Sequence, residues 1–207
     1  MRIFSVDSSL YRFLTKFLDV MKLNFLWILF SLPVVTVGAS TAAAMAVALK
    51  MVDDEEGYIG KSFVKSFGEN WKQGTILGII TVVSFYAVYL DFELFRVTKD
   101  NPVIFLIVGV ISAFVVIMAL TYSYPLIARY ENTLPKTIRN SLDISSKYFG
   151  RTILMLLVIL FEFLVLQFNE VMLFFSVIIG PGLIIFTLAS FSKRIFQQIE
   201  KDSDGRA

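Results

Sequence analysis

The sequence predicts an all-α, polytopic helical membrane protein with five transmembrane spans, the first broken by a proline and amphipathic interfacial helices set between the others. Three observations carry this. Hydrophobic residues make up 57% of the 207-residue chain and charged residues only 17%, against roughly 25% charged in an ordinary soluble domain. The 21 phenylalanines represent more apolar surface than a soluble chain of single-domain length can hide, and lipid removes the need to hide it. Finally, the apolar residues fall in charge-free runs long enough to enter a bilayer, the first being 23–49 between Lys22 and Lys50.

Composition also bounds the chemistry. The chain has no cysteine and no histidine. This removes disulfides, thiolate chemistry, Cys/His metal sites and any triad with His as its base. No Gly-rich phosphate loop or HExxH run is present. The four neighbouring acids Asp53, Asp54, Glu55 and Glu56 define no coordination geometry and read as a solvated loop. No catalytic, cofactor or metal site is expected, and the chain reads as a non-enzyme. A net charge of +2 gives no basic surface for nucleic acid, so the expected partner is the lipid bilayer.

In chain order, residues 1–52 hold an amphipathic helix and the broken segment. Leu10, Phe13, Leu14, Phe17, Leu18 and Met21 share one helix face, flanked by Arg12, Lys16 and Lys22, which suits a helix lying in the interface. The basic start, apolar run and small residues near Ala42 resemble a secretion signal. The run begins late and further spans follow, so the segment is expected to be retained. Pro33 and Gly38 mark a candidate hairpin break. Residues 53–127 form a second unit. It comprises the acidic loop, a helix over 58–71 with Phe63, Phe67 and Trp71 on one face, and a span over 74–90. A polar outer loop with Asp91, Glu93, Arg96 and Lys99 follows. A second span opens at Asn101-Pro102 and closes near the interfacial residues Tyr122, Tyr124 and Pro125. Residues 128–192 form a third unit. A basic amphipathic stretch over 129–151 leads into a span over 152–168, the turn Asn169-Glu170 and a return span over 171–191. A polar tail, 193–207, ends the chain.

The second and third units repeat. Lys61-Ser62-Phe63 with Ser66-Phe67 matches Lys136-Thr137-Ile138 with Ser141-Leu142. Trp71 with Thr75-Ile76-Leu77 matches Tyr148 with Thr152-Ile153-Leu154. The first unit reads as a third, degenerate copy.

Two topologies compete. If 23–49 crosses once, the termini lie on opposite sides and the basic residues divide about two to one. If it enters and returns, the termini share a side, and every Lys and Arg except Arg96 and Lys99 falls on that side. The positive-inside rule favours the second arrangement, with both termini cytoplasmic. Each arm reaches only about 21–23 Å, short of a ~30 Å hydrocarbon core. A re-entrant or short-armed hairpin sheltered by other helices reconciles the two facts, and the Ala/Ser/Thr run suits close helix packing.

Glu162 is the sharpest candidate for function, an ionisable group inside a span. Gly180-Pro181-Gly182 returns to a similar depth. A helix broken there would free backbone groups beside a carboxylate, as in transporter sites. The competing explanation is a hydrogen-bonded packing residue beside a simple proline kink. Phe63, Phe67 and Trp71 are candidates for partner docking, or else interface anchors.

Two stretches carry a family resemblance. One runs from Lys22-Leu23-Asn24-Phe25-Leu26-Trp27 through Ser31-Leu32-Pro33-Val34-Val35-Thr36-Val37-Gly38 to Thr41-Ala42-Ala43. The other is Asp54-Glu55-Glu56-Gly57-Tyr58 with Phe63, Phe67, Asn70 and Lys72-Gln73. They resemble the YesL-like family of bacterial integral membrane proteins, DUF624, although Ala39 stands where members tend to carry proline. The resemblance covers about residues 1–80. It implies a multi-pass protein of the bacterial cell membrane, associated with carbohydrate ABC-transport systems and without a characterised activity. It therefore implies no catalytic residues. The functional expectation is a non-enzymatic accessory component of a carbohydrate uptake system, partnered by ABC-transporter subunits or by its own copies. The alternative is an independent small-solute transporter using Glu162 and the Gly180–Gly182 break.

Overall fold

The computed structural model describes residues 9–98 and 103–204. Lys99 and the Asn101-Pro102 start of the expected third span lie outside the described residues. Every regular element is helical: α1 Ser9–Ser31, α2 Val37–Met51, α3 Ile59–Val97, α4 Val103–Thr121, α5 Ser123–Arg129, α6 Leu134–Lys147, α7 Phe149–Leu166 and α8 Glu170–Asp204. Among the described residues five stretches are long and apolar enough to cross a membrane: Val34–Met51, Ile59–Val97, Val103–Arg129, Phe149–Leu166 and Glu170–Asp202.

The broken first segment is a helical hairpin. Pro33 holds an extended backbone (φ −74°, ψ 107°), and proline pushes the residue before it out of helical conformation, so α1 ends at Ser31. A single 3-10 turn, Val34–Thr36, reverses the chain. The Thr36 hydroxyl ties the turn by donating to the carbonyls of Phe30 at 2.6 Å and Pro33 at 2.7 Å. α2 then returns against α1, joined by the Trp27 indole N–H donating to Thr41 Oγ1 at 3.0 Å.

α2 is the centre of the molecule. Its small residues, Gly38, Ala39, Ser40 and Ala42 to Ala44, are all buried, and α1, α3, α5 and α8 pack around it. Small side chains let helix backbones approach closely. The closest approach is to α3: a Cβ on Gly38 would stand 2.2 Å from the Gly74 carbonyl oxygen and 2.7 Å from the Gly78 Cα. Leu23, Met45, Val47, Met51, Phe63 and Ala189 complete the main apolar core around it.

α3 corrects two expectations. The amphipathic helix and the span are one continuous helix, and that helix runs on through Asp91, Glu93 and Arg96. Gly74 does not break it, because the backbone of Ala39 packs where a side chain would stand. The expected solvated outer loop is therefore helix: the Asp91 carboxylate accepts from Ser112 Oγ of α4 at 2.6 Å, and Arg96 pairs with Glu93 at 3.3 Å on the surface. In the third unit the corresponding junction bends instead, at Tyr148 (φ −109°, ψ 38°), so the sequence repeat is imperfect in structure.

α3 packs with α4 and α7 packs with α8, and the two pairs are bridged by α1, α2, α5 and α6. The start of α1, the end of α2 and the lower part of α8 meet at one end, here called proximal, where Lys16 reaches Met51 and Lys193 reaches Leu49. Residues 23–49 therefore fold as a hairpin whose two arms run back along each other. The hairpin tip is also short: Val34 and Val35 share a pocket with Gly78, Ile79 and Val83, whereas α3 continues to Val97, about 20 Å further at 1.5 Å per residue.

Candidate functional site

The Gly180-Pro181-Gly182 motif does not break α8, which is helical from Glu170 to Asp204 with Pro181 inside it. This corrects the expected broken helix, and the reason lies on α1. Proline has no N–H, so the Val177 carbonyl loses its helical donor. Asn24 replaces it. Its Nδ2 donates to Val177 O at 2.9 Å and to Ile178 O at 2.7 Å, while its Oδ1 accepts from the Gly182 N–H at 2.9 Å. Asn24 is only 1% exposed, so each of these groups left unpaired costs about 1–3 kcal/mol. Gly182 is needed for the approach, since a Cβ there would stand 2.8 Å from Asn24 Cβ and 2.9 Å from the Val20 carbonyl oxygen.

The α4–α5 bend uses the same device. Tyr122 N donates to Ser141 Oγ at 3.0 Å, and Ser141 Oγ donates to the Met118 carbonyl at 3.1 Å. The hydroxyl is inserted where the helical Tyr122-to-Met118 bond would run. Ser145 adds a second donor to Met118 O at 2.9 Å.

Glu162 is half-buried on α7. Its Oε1 accepts from Thr187 Oγ1 of α8 at 2.7 Å, and its Oε2 is buried without a hydrogen-bond partner among the described residues. The carboxylate and the proline motif are served by different partners, Thr187 and Asn24. Pro33 opens the turn between α1 and α2. Gly38 instead serves the contact with Gly74 and Gly78.

The docking face moves. Phe63 is fully buried, and its ring meets that of Phe30 edge-on at 5.2 Å between centroids. Phe67 does the same at 5.0 Å. Both belong to the core between α1 and α3, which corrects their expected availability to a partner. Trp71 alone of the three is open, 51% exposed, with Lys72 Nζ 5.8 Å from its ring centroid.

The acidic loop is not simply solvated. Lys16 of α1 donates to the Met51 carbonyl and pairs with Asp54 at 2.5 Å and Glu56 at 3.4 Å. Lys193 of α8, which is buried, donates to Leu49 O at 2.8 Å and pairs with Asp53. Two cations thus sit on the terminal carbonyls of α2, where the helix dipole is negative, and the acids balance them. Lys16 holds the Asp54 carboxyl below its usual value, chiefly through its hydrogen bond and then its charge. Asp54 itself takes a positive φ of 58°, a left-handed conformation that Asp tolerates better than most residues.

At the proximal end a cleft of about 780 Å³ opens between α3 and the α5–α6 connection, with Glu69, Asn70, Gln73, Arg129, Glu131 and Asn132 on its walls. Gln73 Nε2 donates across it to Asn132 O at 3.1 Å. Arg129 and Tyr130 anchor one wall to Glu200 at 3.0 and 2.6 Å. Burial and the Glu200 carboxylate push the Tyr130 hydroxyl up to about 12.

Sequence reasoning missed Asn24, Ser141, Lys16 and Lys193. Asn24 had a readable signal, a lone amide opening an apolar run. The Gly74/Gly78 pair had another, the small-xxx-small spacing.

A family model described as a protein of unknown function, DUF624, matches residues 20–92. The uncharacterized protein YesL of Bacillus subtilis (strain 168) is 29% identical over 160 residues, covering 74% of this chain and 74% of that protein. No solved structure is significantly similar to the chain. The matched region holds the α1–α2 hairpin from Val20 onward, the acidic loop and most of α3, which together build the core described above. Over this region the chain is similar to the DUF624 family, and along most of its length it resembles YesL.

Proposed function

We propose that the protein is a non-enzymatic accessory component of a carbohydrate uptake system in the bacterial cytoplasmic membrane, with both termini cytoplasmic, and that it works by docking transporter subunits at its proximal end. The observation that carries this reading is the open polar cleft between α3 and the α5–α6 connection, with Trp71 exposed on the same helix. The polar groups within the bundle at Asn24, Ser141 and Trp27 are already spent on holding helices together. The cleft walls and Trp71 remain open at the end that gathers nearly all the basic residues, the end that the positive-inside rule favours on the cytoplasmic side. The carbohydrate class follows from the family resemblance. Mild cross-linking in native membranes followed by affinity purification and mass spectrometry tests the proposal. Stoichiometric ABC-transporter subunits, lost on Trp71→Ala with Gln73→Ala, are the expected result; recovery of the chain with only its own copies would refute it.

One observation favours a second reading, an independent small-solute transporter. Glu162 Oε2 is buried and unbonded, and an intramembrane carboxylate with spare acceptor capacity can take a proton or a cation. Substrate-dependent flux into liposomes should then vanish in Glu162→Gln, and unchanged flux would remove Glu162 from the mechanism.

A further inference from the structure

The two halves of α8 are held very differently. Below Pro181 the helix is fixed by the core. Ile185, Ala189, Ile195 and Phe196 are buried, Thr187 bonds Glu162, and Lys193 bonds Leu49 O and Asp53. Above Pro181, Val171, Leu173, Phe174, Phe175 and Val177 are all exposed. This half belongs to the α7–α8 pair, which packs mainly on α1, α2 and α6 rather than on α3 and α4. Proline removes one helical bond, and at the next position the Gly182 N–H donates to Asn24 Oδ1. Asn24 thus carries the bonding of the joint, with both of its polar atoms. Gly180 adds slack: a Cβ there would meet Leu166 at 3.4 Å and Ser176 at 3.6 Å, ordinary contacts, so packing does not demand a glycine at a position where glycine weakens a helix.

We propose that Asn24 is the latch of a hinge at Gly180-Pro181-Gly182. With its bonds in place the distal half of α8, from Glu170 to Gly180, is held in one position. When they exchange, that half swings relative to the α1–α2 hairpin and takes the 167–169 turn with it. Asn24 acts as a positioning residue on a two-position element, and the amide suits the task because it donates and accepts at once. The inference is independent of the docking reading, since it rests on the opposite part of the bundle.

The chain has no cysteine, so paired spin labels can be placed without a background. In lipid nanodiscs, Val171→Cys with Tyr89→Cys reports the distal half of α8 against α3. Arg194→Cys with Lys65→Cys reports the proximal half. A latch predicts that Asn24→Ala broadens or splits the distal distance distribution and leaves the proximal one unchanged. It also predicts that adding Pro181→Ala, which restores a donor to Val177 O, returns a single narrow distal distribution. An unchanged distal distribution in Asn24→Ala overturns the proposal, as does a change in both pairs that Pro181→Ala fails to reverse. If Asn24→Ala does not fold, folding of the double variant with a narrow distal distribution supports the latch, and its failure to fold overturns it.

Discussion

At Pro181 one side chain repairs a backbone that its own helix cannot complete. Replacing Asn24 with alanine leaves the Val177 carbonyl and Gly182 N–H without these partners in a buried setting, and should lower stability by roughly 2–4 kcal/mol, read from denaturant unfolding in detergent. The glycines give a paired prediction. Gly38→Ala forces a Cβ to within 2.2 Å of the Gly74 carbonyl and should cost roughly 1–3 kcal/mol or more by overpacking. Gly68→Ala meets nothing within 4 Å and should stabilise by up to about 1 kcal/mol through helix propensity. Tyr130 gives a pH dependence with a definite sign. Its folded value of about 12 lies above the ordinary 10.0, so the folded state holds the proton more tightly. The associated stability is present below pH 10 and lost as pH rises towards 12. Tyr130→Phe should flatten that alkaline loss in unfolding curves taken across this window. Glu162, Pro33 and Gly38 were legible as singular residues because each breaks an apolar pattern. Their partners were not, since a hydrogen bond between residues 24 and 182 leaves no trace in local spacing.

The helices show where periodicity is informative and where it stops. The apolar face of 58–71 was readable, but not what would cover it, and Phe30 does so. Phe63→Ala should therefore destabilise the α1–α3 contact by roughly 3–5 kcal/mol, seen as a fall in unfolding midpoint, rather than release a partner from an intact protein. The continuity of α3 was hidden because Gly74 and the charges at Asp91, Glu93 and Arg96 read locally as boundaries, whereas tertiary contacts to Ala39 and Ser112 carry the helix through them. The same limit applies at Ser141. A hydroxyl on the buried face of α6 is unremarkable in sequence and becomes the splint of the α4–α5 bend only in three dimensions.

Across the whole molecule the sequence and the structure meet at the first hydrophobic segment. Charge favoured both termini on one side, and arm length argued against a full crossing. The structure folds the segment as a short hairpin whose second arm, α2, is enclosed by α1, α3, α5 and α8. Enclosure explains how α2, with its Ser and Thr side chains, sits within the bundle; the proline turn itself is open, with Leu32, Val34 and Val35 exposed. The lysines at the end of α2 explain why the return arm stops where it does: Lys16 and Lys193 arrive from opposite ends of the chain to cap the same helix terminus. The most direct test is side-specific labelling of single cysteines introduced into the cysteine-free chain at Arg12, Phe168 and Lys201, using a membrane-impermeant thiol reagent on intact cells and on inverted vesicles. An entering-and-returning hairpin predicts that positions 12 and 201 label from the same, cytoplasmic side and position 168 from the other. Labelling of 12 and 201 from opposite sides would mean that the first segment crosses once, and would contradict the arrangement on which this account is built.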